Sequence, residues 1–204
     1  IYNVPRFAYA AAMFYNDLGP NEATEESFNL ARTTLSKRKF TEWGTDTLKK
    51  GIAANNLDLA FLYTGDFLDT LYIKLDTDPE IENIQFDIHI PENTIAFMDG
   101  FVIPKKARNV ELAHLFIDFL LRPEMAYLNA SVVGYCTPLV DAYNKIVEYE
   151  GDDAWLSSWA YATKTYYPMP DENDPVQFKG TPIANLNPDF LSRIQTMVNN
   201  VKTE

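Results

Sequence analysis

The chain has a single cysteine, Cys136, so no disulfide can close within it. Its two histidines, His89 and His114, lie far apart, and no Cys–His cluster offers a structural zinc site. Glycine is scarce, at 8 of 204 residues, and no G-x-G-x-x-G or Walker pattern is present to cradle a phosphate. Neither a G-x-S-x-G elbow nor a His-Glu-x-x-His pair occurs. No run of about 18 apolar residues is available to cross a membrane as a helix. Bases are few: 17 Lys and Arg face 29 Asp and Glu, for a net charge of −12. That balance argues against nucleic acid, whose phosphates demand a basic footprint.

What is present is an ordinary folding composition, 47% hydrophobic and 23% charged. Aromatics reach 14%, with Tyr and Phe at turn positions and acids beside them, a composition suited to binding. Asp76, Asp78, Glu80, Glu82, Asp87, Glu92 and Asp99 fall in one stretch without a Lys or Arg. Such a run concentrates cations nearby. The chain begins Ile1-Tyr2 and reads as a mature piece, with no signal peptide or lipid-anchor motif.

The pattern predicts an α/β chain. An Ala-rich helix is expected over Tyr9–Leu18, stopped by Gly19-Pro20. Thr24 is placed as the N-cap of a second helix, with Ser27 or Glu26 in its first turn. A third helix follows over Thr47–Ala54. Leu57–Tyr63 is an apolar run that predicts a buried parallel strand. Thr64-Gly65-Asp66 then turns into a helix from Phe67 to Tyr72, so Tyr63, Thr64 and Asp66 stand at a ligand-facing edge. Ile84–Ile90 alternates as a half-exposed strand. Asn109 caps the clearest helix, Val110–Leu121, whose stripe is Leu112, Leu115, Phe116, Phe119 and Leu120. Helices are also expected over Glu124–Ala130, Asp141–Glu150, Ala154–Lys164 and Phe190–Val201. Cys136 reads as a small buried residue, since no histidine is placed to activate it.

One stretch carries an unusual group. Thr94–Pro104 reads as a strand, yet holds Asp99 two residues after Phe97. An acid in an apolar strand costs free energy unless paired. Beside an aromatic face, a cation is a fitting partner.

Four segments in order, Ile95–Pro104, Lys105–His114, Phe116–Ala126 with Phe-Leu-Leu-Arg-Pro-Glu, and Val133–Pro138 with Gly-Tyr-Cys-Thr-Pro, resemble the spermidine/putrescine-binding proteins of ABC importers. The resemblance is strongest over residues 57–143. It implies a periplasmic-binding-protein-like (type II) bilobed α/β fold, of which this chain is a C-terminal part. Residues 1–95 and 145–204 would then belong to the second lobe, and 96–144 would return to the first. By the same resemblance Asp99 pairs with an amine, and Phe97, Tyr63 and Tyr135 wall the methylenes. Tyr9 and Asp66 complete the ligand-binding set. The family usually has Trp where this chain has Phe97 and Tyr63, and each change trims a cation–π contact of about 0.5–2 kcal/mol. Two family carboxylates fall near Arg6 and Tyr9.

The implied partners are a small cationic solute and an ABC permease, with no nucleic acid, and the protein is expected to be a monomer on the extracytoplasmic side. No catalytic residue, cofactor or metal is called for. The alternative is a protein of the same fold that binds a sugar, thiamine or an iron complex. An enzyme using a carboxylate pair and an adhesion domain are the readings from other classes.

Overall fold

Proline at a first helical position loses no hydrogen bond, because that N–H has no partner within the helix. Three helices of the computed structural model use this device: α1 (Pro5–Tyr15), α6 (Pro123–Val133) and α9 (Pro188–Val201). The structure describes residues 1–77, 87–167, 169 and 180–204. The remaining helices are α2 (Glu25–Lys37), α3 (Asp46–Ala53), α4 (Thr64–Thr77), α5 (Val110–Leu120), α7 (Val140–Val147) and α8 (Ala154–Tyr166). Strands β1 (Thr94–Ala96) and β2 (Gly180–Pro182) form a parallel pair, with Thr94 opposite Gly180 and Ala96 opposite Pro182.

The chain divides into two compact units. The first comprises Ile1–Leu62, His89–Phe97 and Phe178–Glu204. Its core is made where α1, α2 and α9 meet. Ala8, Tyr9, Ala12 and Met13 form one face of α1, and Phe190, Ile194, Met197 and Val198 form one face of α9. Both sets follow the helical repeat, so each helix presents a continuous apolar stripe. Phe190 meets Tyr9 and Phe28 edge to face, each with ring centres 5.9 Å apart. Burying each large side chain contributes about 1.5–3 kcal/mol.

The second unit comprises Tyr63–Ile88 and Met98–Gln177. Its core joins Leu68 and Leu71 of α4 to Ala130 of α6, Ile146 of α7, and Trp159 and Ala162 of α8. Gly134 closes α6 in the left-handed region, at φ 72°, where a glycine has no Cβ to clash. The units and the expected lobes divide the chain differently over 63–88 and 145–177. The reason lies in that core, because α4 and α8 pack with α6 and α7.

Several expected elements take another form. Leu57–Tyr63 is not a strand, and Leu59 is 90% exposed. A strand needs at least one hydrogen-bonded neighbour, and among the described residues none lies beside this run. Of Thr94–Pro104 only the first three residues form a strand; the rest is irregular. In Ile84–Ile90, residues 84–86 lie outside those described and 87–90 form no strand. Helix α1 starts at Pro5 rather than Tyr9 and ends at Tyr15 rather than Leu18. Helix α5 stands where it is expected, but none of its residues is buried.

Candidate functional site

The sequence places its candidate residues at a Thr64-Gly65-Asp66 turn before a helix from Phe67 to Tyr72; in the structure those three residues are already the first turn of α4, which runs on to Thr77. Tyr63 precedes the first helical residue. The carboxylate of Asp66 reaches back to accept the Tyr63 N–H at 3.1 Å. This is the return half of a capping box, and it puts a negative charge at the positive end of the helix dipole. Asp66 is buried, so it acts by holding Tyr63 in place.

The turn after α6 meets this helix start. A Cβ on Gly65 would lie 2.1 Å from a ring carbon of Tyr135, so the tyrosine ring occupies the place a larger residue would fill. A Cβ on Gly134 would likewise meet Leu68 at 3.2 Å. Two glycines therefore let the Gly134–Thr137 turn approach the α4 backbone.

Tyrosine hydroxyls surround the same point. The Tyr167 hydroxyl is hydrogen-bonded to the Thr64 hydroxyl. Tyr143 donates to the Tyr167 carbonyl at 2.8 Å. Burial raises the pKa of both phenols, which therefore stay protonated. Burial also pushes the Cys136 thiol up to about 11. At neutral pH that sulfur is a thiol, a poor nucleophile. Among the described residues no three of His, Cys, Asp and Glu converge as metal ligands. The start of α4 thus gathers aromatic rings and hydroxyls around one buried carboxylate.

Tyr63, Asp66 and Tyr135 are brought together in the second unit. Phe97 and Asp99 are both exposed and lie in the irregular stretch after β1. The boundary between the units falls between Phe97 and Met98, and another falls between Leu62 and Tyr63. Three of the candidate residues therefore stand next to points where the chain passes from one unit to the other.

Tyr9 is placed elsewhere. It has 0% exposure, and its hydroxyl bonds to the Glu22 carbonyl at 2.7 Å and the Ser27 hydroxyl at 2.9 Å. A fully covered ring offers no face to a solute, so Tyr9 leaves the candidate set. Arg6 is likewise engaged, donating to the Pro20 carbonyl at 2.8 Å and to Asn21 Oδ1 at 2.7 Å. Asn21 in turn donates to the Pro182 carbonyl at 2.9 Å. Arg6 thus ties the turn after α1 through Asn21 to the end of β2. Tyr143 and Tyr167 are not among the candidates named from the sequence, although Tyr166-Tyr167 is a tyrosine pair. The Tyr-rich segment was the available signal, but no spacing says which tyrosine reaches α4.

No protein-family model matches the chain. Among solved structures it is similar to a protein of Listeria monocytogenes provisionally described as a spermidine/putrescine ABC transporter. The TM-score is 0.70 at 24% identity, over 98% of this chain and 56% of the other. The likeness is one of fold. The chain spans little more than half the length of the solved protein that it matches.

Proposed function

We propose that this chain is the C-terminal part of the solute-binding component of an ABC importer, with a polyamine as its solute. The observation that carries the reading is the fold likeness, taken together with Tyr63, Phe97 and Asp99 beside the chain crossings. In a type II bilobed binding protein such crossings line the cleft. Asp99 neutralises an ammonium, while Phe97, Tyr63 and Tyr135 wall the methylenes. Asp66 serves by fixing Tyr63. Lobe closure then presents the cargo to a membrane permease on the extracytoplasmic side. The reading calls for a monomer and for neither nucleic acid nor cofactor. Net charge supports a cationic solute, since −12 on the chain attracts it from a distance.

Micromolar affinity needs about 8 kcal/mol. A hydrogen bond to a charged group supplies about 1.5–3 kcal/mol of that, so the intact cleft must provide the rest. In the intact protein, Asp99→Ala is expected to weaken spermidine binding by roughly ten- to a hundredfold in calorimetry. Unchanged affinity would remove Asp99 from the site.

A second reading, the same fold with another solute such as a sugar, thiamine or an iron complex, draws on the hydroxyl group formed by Thr64, Tyr167 and Tyr143. The same titration decides between them. Heat with a sugar, thiamine or an Fe(III) complex, and none with spermidine or putrescine, would replace the polyamine.

A further inference from the structure

Three successive residues at the start of α4 each hold one tyrosine. The Thr64 hydroxyl is hydrogen-bonded to the Tyr167 hydroxyl. Gly65 lies against Tyr135, where a Cβ would overlap three consecutive ring carbons. Asp66 accepts the Tyr63 N–H at 3.1 Å. Successive helical residues face directions about 100° apart, so one turn serves three sides of the helix end. All six residues belong to the second unit. Of the three, Gly65 is the one that its own backbone does not explain. Gly134 sits at φ 72°, where a side chain is strained, and among the described glycines it alone has a positive φ. Gly65 is an ordinary helical residue. At such a position alanine makes the more stable helix. The backbone thus gives no reason for glycine at 65, and the Tyr135 ring supplies one by filling the place of the Cβ.

We propose that Gly65 is a positioning residue for the solute: by lacking a side chain it seats the Tyr135 ring on α4 and so fixes the aromatic wall against which the solute lies. A side chain at 65 displaces the ring rather than the turn that carries it. That turn is anchored at Gly134, whose N–H donates to the Ala130 carbonyl at 2.8 Å and whose Cα lies close to Leu68 in the core. The ring, by contrast, is free to swing about its Cα–Cβ bond to another staggered rotamer. The inference rests on the proposed function, because Tyr135 walls the solute in that reading. The competing account is that the contact between Gly65 and Tyr135 is packing alone, and it predicts a change in stability without a change in affinity.

The test is a double-mutant cycle in the intact protein, read by calorimetry with spermidine. Gly65→Ala is expected to weaken binding about tenfold, and Tyr135→Ala by a similar factor. Adding Gly65→Ala to Tyr135→Ala is expected to cost less than about twofold more, because the ring it displaces is already gone. Wild-type affinity in Gly65→Ala overturns the proposal. A full further loss in the double variant also overturns it, since Gly65 then acts on something other than the ring. If Gly65→Ala does not fold, folding regained in the double variant supports the ring contact, and failure to regain it counts against the proposal; unchanged affinity in Tyr135→Ala overturns the solute role. Ring-labelled tyrosine NMR of the solute-free protein gives a second readout. Gly65→Ala is expected to move the Tyr135 resonance, assigned with Tyr135→Phe, and an unmoved resonance overturns the positioning. A wild type that gives no heat with spermidine removes the polyamine reading and leaves the NMR measurement to decide on Gly65, so the two fail separately.

Discussion

Tyr9 shows how a single side chain changes meaning between sequence and structure. An aromatic near the start of a helix suits a ligand wall or a core equally. Here the ring is closed in by α2 and α9, and burial raises its pKa against the smaller effects of Ser27 and Arg6. The hydroxyl is satisfied by Glu22 and Ser27. Removing it leaves those groups short of a partner, at a cost of about 1 kcal/mol. Tyr9→Phe is therefore expected to lower unfolding free energy by about that amount in urea denaturation while leaving solute affinity unchanged. A loss of affinity without a loss of stability would return Tyr9 to the site. Asp66 is a related case. Its type and position suggested a ligand, and its carboxylate is spent in part on the Tyr63 N–H.

At the scale of elements, the existence of helices was more legible than their ends, and the cap at Thr24 is the end that the sequence marked best. Thr24 accepts the Ser27 N–H at 3.1 Å, and Ser27 Oγ accepts the Thr24 N–H at 2.9 Å, which completes a capping box. Tyr9 joins the same serine, so the cap also fastens α1 to α2. Thr24→Ala is expected to cost about 1 kcal/mol in thermal or urea unfolding. A double-mutant cycle with Tyr9→Phe should show coupling, because both act through Ser27. Strict additivity would mean the cap and the contact are separate. Strands fared differently. Leu57–Tyr63 and Thr94–Pro104 both have strand-like composition, yet only Thr94–Ala96 is paired, against Gly180–Pro182, which lie far along the chain. Composition marks what is able to pair; it does not supply the partner.

At the scale of the whole molecule, charge is the property most open to measurement. With a net charge of −12, like charges repel across the folded chain. Surface ion pairs such as Arg193–Glu25, at 2.5 Å and exposed, offset little of this. The Tm is expected to rise as NaCl is raised from about 0.01 M to 0.2 M, because the screening length shortens from roughly 30 Å to below 8 Å. A falling Tm over that range would show that attractive pairs outweigh the net repulsion.

The sequence by itself determined where most of the helices lie, the Thr24 cap and the acidic balance. Each of these rests on neighbours a few residues apart, and a helix closes its hydrogen bonds within itself. Only the tertiary structure decided that Tyr9 is core, that Arg6 braces a turn, that Tyr167 and Tyr135 gather at α4, and that the α5 stripe stays bare. These outcomes depend on segments distant in the chain. A strand or a buried ring acquires its role from what packs against it, and no local pattern names that partner.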